Sequence, residues 1–325
     1  MSGDLGAEVV VRAAAAALQK HTGLELLLVG DQDELSGHVT RIVGKESRLR
    51  IVHTTEVVGM SDTPADALRR KKNSSMRVAV NLVKTGDAQA CVSAGNTGAL
   101  MATAKYVLKM TPGIDRPAII AELPLKNGSL HMLDLGANAL CSADHLFQFA
   151  VMGSIVAADI SGLEQPRVAL LNIGAEDTKG HDTVKDAAAR LQESSLNYVG
   201  FIEGSGLFSG MADVVVTDGF TGNVALKTIE GTVGLMTYTL KRAFARTWIT
   251  RLQAMIAAPV LRRVAAESDW RSYNGATLVG LNGIVIKSHG SADSYAFQHA
   301  IETAVIEVQN QVPKQIGALL QQETS

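Results

Sequence analysis

Short apolar strand patterns alternate with longer helical patterns along this chain of 325 residues, and the alternation limits the fold more than any other feature. A sheet whose strands are separated by helices is mainly parallel and is covered by helices on both faces. Hydrophobic residues make up 46% of the chain but aromatic residues only 4%, so the core must consist of Ala, Val, Leu and Ile. We therefore expect an α/β fold. Strand patterns lie at 24–29, 49–54, 118–122, 131–135, 168–173, 198–202, 214–217 and 284–287, and helical patterns at 7–21, 97–110, 144–160, 182–196, 223–244 and 292–312.

A turn rich in small residues joins one further strand pattern, which ends at Ser93, to the helical pattern at 97–110. In such a turn Gly95 can take a positive φ, and Gly98 lets a ligand approach the backbone closely. The free N–H groups at the start of a helix favour an anion, most commonly phosphate. Ordinary capping of the helix by Ser93, Asn96 or Thr97 explains the same residues equally well.

Turns with glycine and polar residues follow four other strand patterns, at 136–138, 174–182, 218–223 and 288–293. Open α/β sheets bind ligands just beyond the carboxyl ends of their strands. These turns therefore predict a site lined by glycine, Asn, Asp, Ser and Lys.

Several classes of function are excluded by composition and by missing motifs. The formal charge of −2 argues against a chain-wide affinity for nucleic acid. The sequence contains no P-loop, no nucleophile elbow and no Cys/His spacing for zinc, and the glycines at 204–210 miss the dinucleotide-binding spacing. We expect neither a cofactor nor a metal. The two cysteines, Cys91 and Cys141, lie in apolar surroundings, which favours a reduced, cytoplasmic environment and makes neither a strong nucleophile candidate.

Together, the motifs resemble those of the PlsX family, in the order in which that family carries them, over nearly the whole chain. The resemblance implies an enzyme that converts acyl-[acyl carrier protein] and inorganic phosphate to acyl phosphate and free carrier protein. It also implies a two-lobed αβα sandwich like that of phosphotransacetylase and the isopropylmalate dehydrogenases, spanning 1–325 as a single unit, usually a homodimer. The product would supply a downstream glycerol-3-phosphate acyltransferase of phospholipid synthesis. The motifs lie at 60–62, 67–76, 92–99, 133–138, 171–174, 179–180, 218–223, 281–283 and 288–290.

The expected chemistry assigns roles to individual residues. Phosphate must be held and aimed at the thioester carbonyl, and the oxyanion that forms must be stabilised while the thiolate leaves. Similarity to phosphotransacetylase makes Ser288 and His289 the candidates for stabilising the oxyanion or the leaving thiolate, with Asp218 as an orienting carboxylate and Asn223 beside them. The residues expected to bind phosphate are Ser93, Gly95, Asn96, Thr97, Gly98, Asn138 and Lys179.

The family's first strand, an apolar run that precedes the turn matched here by Gly3-Asp4-Leu5-Gly6, does not occur in this sequence. Since a core strand buries many contacts, we expect a late start assignment or a truncation.

A basic amphipathic segment lies at about 241–263, in a stretch from Gly231 to Ala266 that contains no acidic residue. A basic face beside an apolar face is typical of a helix that lies on a membrane or binds an acidic partner such as acyl carrier protein. A dimer interface is the alternative. We expect peripheral association with the inner face of the cell membrane. The contact residues would be Arg242, Arg246, Trp248, Leu252 and Met255.

Two other functions stay open at this point. A phosphotransacetylase that uses coenzyme A would differ only in the thioester it consumes. A non-catalytic, membrane-associated scaffold of lipid synthesis would bind liposomes without turnover.

Overall fold

A mixed sheet of eight strands forms the centre of the computed structural model, which describes residues 3–125, 128–267 and 269–324. Its strand order is β3-β10-β9-β4-β5-β8-β6-β7, and β1 pairs with β2 in a separate parallel pair. The strands are β1 (Leu26–Gly30), β2 (Leu49–His53), β3 (Ala90–Ser93), β4 (Ala118–Pro124), β5 (Ser129–Leu133), β6 (Val168–Leu171), β7 (Tyr198–Ile202), β8 (Val214–Val216), β9 (Ala276–Val279) and β10 (Ile284–Lys287).

Strand direction reverses in the middle of the sheet. β3 and β10 are parallel to each other, and so are β5, β8, β6 and β7. Between these two groups, β10 with β9, β9 with β4, and β4 with β5 are all antiparallel. The sheet is mainly parallel, as predicted, but the carboxyl ends of β3 and β10 lie at one edge and those of β5, β8 and β6 at the opposite edge.

Helices cover both faces of the sheet, which confirms the predicted αβα sandwich. Along β6, Val168 and Leu170 pack into a core with α6 and α7, while Ala169 between them packs into the core on the α4, α5 and α8 side. Period-2 alternation in a strand covered on both faces produces this division. The helices are α1 (Ala7–Lys20), α2 (Gln32–Ile42), α3 (Pro64–Arg70), α4 (Ser75–Thr85), α5 (Thr97–Leu108), α6 (Ala143–Ser161), α7 (Asp182–Glu193), α8 (Gly219–Ala245), α9 (Trp248–Glu267), α10 (Ser294–Asn310) and α11 (Val312–Thr324).

Strand β9 was not predicted from the sequence, and together with β4 it lies between the two parallel groups. It pairs with β10 and with β4, antiparallel to each. It has only four residues, one of them Thr277, and the loop at 280–283 separates it from β10. A strand this short carries too little periodicity to be recognised on its own.

The basic segment at 241–263 occupies the end of α8 and most of α9, and the two helices pack against each other. Trp248, Leu252 and Met255 are 75%, 50% and 73% exposed, respectively. Among the described residues no helix is long and apolar enough to span a membrane. The two-lobed division of the chain stays a prediction.

Candidate active site

The turn between β3 and α5 is organised by the side chain of Asn96. Its Oδ1 accepts a hydrogen bond from the Ala99 N–H at 3.0 Å and so caps α5. Its Nδ2 donates to the Met60 and Asp62 carbonyl oxygens at 2.9 and 3.0 Å. The capping interpretation therefore holds for this side chain, which fixes the turn rather than pointing at a ligand.

The backbone of the same turn offers donors to an anion. Within the described part of the chain, the N–H groups of Asn96, Thr97 and Gly98 have no acceptor, as expected for the first residues of a helix. Thr97 and Gly98 are exposed, whereas Gly95 is buried and its N–H donates to the Ser93 hydroxyl at 3.2 Å. The start of α5 thus keeps the chemistry expected of a phosphate site.

Ser288 follows β10 at the same edge of the sheet, but its side chain points away from this turn. The residue is 0% exposed, and its Oγ accepts a hydrogen bond from Asn274 Nδ2 at 2.9 Å. Its N–H donates to the Ser93 carbonyl at 2.9 Å and so joins the two loops. The Ser288 hydroxyl is thus held by Asn274 in this structure, and its expected contact with substrate stays a prediction.

Asn274 is a residue that sequence reasoning missed. Besides holding Ser288, its Nδ2 donates to the Ala296 carbonyl at 2.8 Å, and its Oδ1 accepts from the His289 N–H at 2.9 Å. It is 14 residues from Ser288 in sequence, and no local pattern connects the two.

His289, unlike Ser288, has an exposed side chain. Its Nδ1 accepts from the Ser291 N–H at 3.3 Å and lies 2.9 Å from the Ser291 hydroxyl. Because a backbone N–H can only donate, the proton of the neutral ring lies on Nε2. Partial burial, and then the nearby Lys227, lower the pKa of His289 below its usual value. His289 is thus a neutral Nε2–H donor near neutral pH.

At the opposite edge, the turn after β5 is built around a buried carboxylate. Asp134 is 0% exposed and accepts hydrogen bonds from the N–H groups of Ile119, Ala137 and Asn138. Burial raises its pKa, while these hydrogen bonds act in the other direction. The Asn138 Nδ2 donates to Asp134 at 2.9 Å and to the Pro117 carbonyl at 2.7 Å. The amide of Asn138 is therefore committed to the fold.

Helix α8 begins directly on this turn. A Cβ on Gly219 would lie 2.7 Å from Asp134 Oδ2, and one on Gly222 would overlap the Asp134 carbonyl oxygen. Asp218 caps the helix, with Oδ1 accepting from the Thr221 N–H at 2.9 Å and Oδ2 from its hydroxyl at 2.7 Å. Asp218 therefore fixes the start of α8, and its role as an orienting carboxylate in catalysis stays a prediction.

Asn223 lies near the start of α8, next to the turn after β5. It is exposed, its Cγ would lie 3.7 Å from a Cβ on Gly136, and its amide forms no hydrogen bond with any described residue. One helical turn further along α8, Lys227 lies close enough to His289 and Lys287 to affect the pKa of both. The exposed side of α8 therefore runs from the β5 and β8 edge toward the β10 edge.

Lys179 lies in the loop after β6, and nothing in its surroundings ties it to the other candidates. Its side chain is exposed, its carbonyl accepts from Asn172 Nδ2 at 3.1 Å, and its ammonium forms no ion pair among the described residues. Its role in binding phosphate stays a prediction.

A second missed residue, Lys287, ends β10 beside Ser288. Its ammonium donates to the Ser288 carbonyl, and burial lowers its pKa to about 8, with Asp4 and Lys227 as the nearby charges. Strand alternation carried a signal for it, because every second residue from buried Val285 points to the same face.

Neither cysteine supplies a nucleophile. Burial raises the pKa of the Cys91 thiol to about 12 and that of Cys141 to about 11, so both remain protonated near neutral pH.

Comparison with known proteins identifies the family. A family model described as "Fatty acid synthesis protein" matches residues 1–315. The phosphate acyltransferase of Alkalilimnicola ehrlichii is 57% identical over 99% of this chain and 94% of its own length. That of Halorhodospira halophila is 53% identical, with the same coverage.

A solved structure shows the same fold. A phosphotransacetylase from Streptococcus pyogenes superposes with a TM-score of 0.63 at 20% identity and covers 94% of this chain and 92% of its own. Together with the matches in sequence, this establishes that the chain is an acyltransferase and belongs to the PlsX family of phosphate acyltransferases.

Proposed function

We propose that this chain transfers a fatty acyl group from acyl-[acyl carrier protein] to inorganic phosphate, giving acyl phosphate for phospholipid synthesis. The observation that carries the proposal is the turn from Ser93 to Gly98, which offers N–H groups at the start of α5 with His289 on the neighbouring loop. Family membership supports transfer to phosphate, and the nature of the acyl donor is the proposed part.

The reaction needs little help from a base. Inorganic phosphate carries negative charge near neutral pH, so one of its oxygens can attack the thioester carbonyl carbon directly. The tetrahedral intermediate then collapses, the carbon–sulfur bond breaks, and the thiolate of the carrier leaves and takes a proton from water. The N–H groups at the start of α5 hold and orient the phosphate, which lowers the entropic part of the barrier.

His289 is the proposed donor to the oxyanion. Its Nε2–H suits this role because the ring is neutral and its other nitrogen is held by Ser291. Asn223, whose amide makes no hydrogen bond with the described residues, is a second donor. Loss of one such donor typically lowers kcat about 100- to 1000-fold. We expect His289→Gln to show this loss with the phosphate KM changed less than about threefold.

The test incubates purified protein with palmitoyl-acyl carrier protein and phosphate, and follows free carrier thiol together with an acyl group trapped by hydroxylamine. Phosphate-dependent release of thiol with an equal amount of trapped acyl group supports the proposal. A parallel reaction with palmitoyl-coenzyme A separates the rival donor, since faster turnover there indicates a coenzyme A-dependent phosphotransacetylase. No turnover with either thioester, in a protein that still binds liposomes, indicates a scaffold.

We propose that α9 and the end of α8 contact a membrane surface. Trp248, Met255 and Ile256 are each at least 73% exposed, although α9 packs against α8. Arg242 lies in the last turn of α8 and Arg246 is its C-cap, and both suit anionic headgroups. Leu252 belongs to the same face.

Liposome flotation of the double variant Trp248→Glu, Leu252→Glu tests this contact. The matched control is Phe208→Glu, Met211→Glu, which adds the same charge at exposed apolar residues elsewhere. We expect only the first variant to remain at the bottom of the gradient. Equal flotation of both variants contradicts membrane contact through α9.

The remaining partners follow from this assignment. A membrane-bound enzyme of this kind would sit at the inner face of the cell membrane and pass acyl phosphate to a glycerol-3-phosphate acyltransferase. Homodimer formation through the exposed apolar residues Leu235 and Met236 of α8 completes the proposal. Sedimentation equilibrium of the wild type and of Leu235→Glu, Met236→Glu tests the dimer.

A further inference from the structure

We propose that Lys287 supplies the positive charge that binds phosphate at the start of α5. This inference rests on the proposed function for the identity of the anion. It adds a binding residue that neither the motifs nor the comparisons assign.

The register of the sheet brings Lys287 to the turn. β10 and β3 are parallel, and Lys287 is the Cα partner of Ser93. Two residues earlier, Val285 is the partner of Cys91, and both side chains lie in the core on the α5 side. Because side chains alternate along a strand, Lys287 and Ser93 project toward that same side, at the end where α5 begins. Ser288 points to the other side, where Asn274 holds it.

The surroundings of Lys287 leave its charge without a direct counter-ion. The ammonium donates to the Ser288 carbonyl, and no carboxylate lies within ion-pair distance of it among the described residues. Asp4 from the segment before α1, Lys227 and Glu230 from α8, and His289 are the charged or titratable groups around this loop.

Lys227 is already occupied, since its Nζ lies 2.7 Å from Glu230. Lys287, by contrast, is partly desolvated and has no carboxylate partner among the described residues. Burying an ammonium costs free energy unless an anion approaches it, and a bound phosphate would provide that anion beside the open N–H groups of Asn96 and Gly98.

A link to protonation follows from the same geometry. Burial lowers the pKa of Lys287 to about 8, so near that pH a large fraction of the side chains is neutral. A phosphate dianion favours the charged form, and its binding should therefore be accompanied by proton uptake at this side chain. Phosphate affinity should fall as the pH rises through about 8.

The test compares Lys287→Met, Lys287→Arg and Lys179→Met with the control Lys105→Met, an exposed lysine on α5. Methionine keeps the straight apolar stem and removes the charge. We expect Lys287→Met to raise the phosphate KM about 10- to 100-fold, the usual effect of losing a hydrogen bond to a charged group, with the thioester KM changed less than about twofold. Lys287→Arg should recover part of this loss. An increase in both KM values together with a lower thermal midpoint would assign Lys287 a structural role and overturn the proposal.

Calorimetry with inorganic phosphate alone, near pH 8 and in buffers of different ionisation enthalpy, measures proton uptake without turnover. Uptake in the wild type that disappears in Lys287→Met supports the proposal, even if no acyl transfer is found and the proposed function fails. Unchanged uptake and phosphate KM in Lys287→Met overturn it, and so does a rise in phosphate KM confined to Lys179→Met. A wild type that binds no phosphate overturns both proposals.

Discussion

Glu307 lowers the free energy of unfolding as the pH rises from about 5 to about 8, and replacing it with glutamine should abolish this loss. Glu307 lies on α10, is 1% exposed, and its carboxyl group accepts a hydrogen bond from the Thr277 hydroxyl of β9. Burial raises its pKa from 4.5 to about 8, and the charge of Asp159 on α6 acts in the same direction. The folded protein thus holds this carboxyl group in its neutral form near neutral pH.

The magnitude follows from proton linkage. Above pH 4.5 the carboxyl group ionises in the unfolded chain but keeps its proton in the folded one until about pH 8. The folded state binds more protons in this window, so the free energy of unfolding falls as the pH rises. At 1.36 kcal/mol for each pKa unit, the fall between pH 5 and pH 8 amounts to about 3 to 4 kcal/mol. This part of the free energy of unfolding is fully present below pH 4.5 and is lost above about pH 8.

Glutamine is neutral at every pH, so this dependence disappears in the variant. Its amide adds donors that the buried site was not built to satisfy, which costs about 1 to 3 kcal/mol at all pH values. We therefore expect Glu307→Gln to be no more stable than the wild type near pH 5 and more stable near pH 8.

Urea unfolding followed by circular dichroism at several pH values measures this difference. Subtracting the wild type from the variant cancels the titration of groups common to both, such as His131. Glu193→Gln, an exposed substitution at the end of α7, is the matched control and should keep the wild-type pH dependence. A Glu307→Gln protein that also keeps the wild-type dependence refutes the assignment of a neutral, buried carboxyl group.

Three further predictions follow from the fold and the site. Gly222→Ala should lower the free energy of unfolding by about 1 to 3 kcal/mol, because the new Cβ overlaps the Asp134 carbonyl oxygen. In Gly231→Ala, on the same helix, the new Cβ meets nothing within 4 Å, so this variant should not be destabilised. Urea unfolding of the two variants measures the difference. Asn96→Asp keeps the acceptor that caps α5 but adds a negative charge, so the phosphate KM measured by kinetics should rise about tenfold. The variant also loses the two hydrogen bonds that the Asn96 amide donates, which should lower the free energy of unfolding in urea by about 1 to 2 kcal/mol. Burial lowers the pKa of His131 from 6.5 to about 4, so the free energy of unfolding of the wild type should fall by about 3 kcal/mol as the pH falls through that window. Urea unfolding of His131→Gln in parallel should show a smaller fall.

The capping of α5 could be predicted because it depends on local chemistry. Asn96 was one of three predicted caps of the helix that follows it, and the structure places it at the N-terminus of α5, whereas Asp218, predicted as an orienting carboxylate, caps α8. The capping hydrogen bonds also occupy these two side chains, which had been predicted to act in the site. A side chain that already satisfies its own backbone positions a site, and only the N–H groups left over are offered to a ligand.

Other residues could not be assigned from the sequence because their roles depend on contacts between distant elements. Ser288 and Lys287 are neighbours, yet strand alternation sends one toward Asn274 and the other toward the start of α5. Asn138 looked like a binding residue in its turn, but Pro117 and Asp134 take both of its amide hydrogens.

The sequence by itself determined the alternation of strands and helices, the aliphatic core, the glycine turn at Ser93 and the family, because each of these is encoded in residues close together or in motifs shared with relatives. The tertiary structure alone decided where the turns lie relative to one another. The prediction of one common carboxyl edge assumed strands of one direction. Because β9 is antiparallel to both β10 and β4, those two strands run in the same direction, and the antiparallel pairing of β4 with β5 places the β5, β8 and β6 turns at the edge opposite Ser93 and His289. The position of the β4 and β5 pair beside β9 and β10 depends on pairing between strands more than 100 residues apart, such as Ile119 with Leu278, which local periodicity does not record.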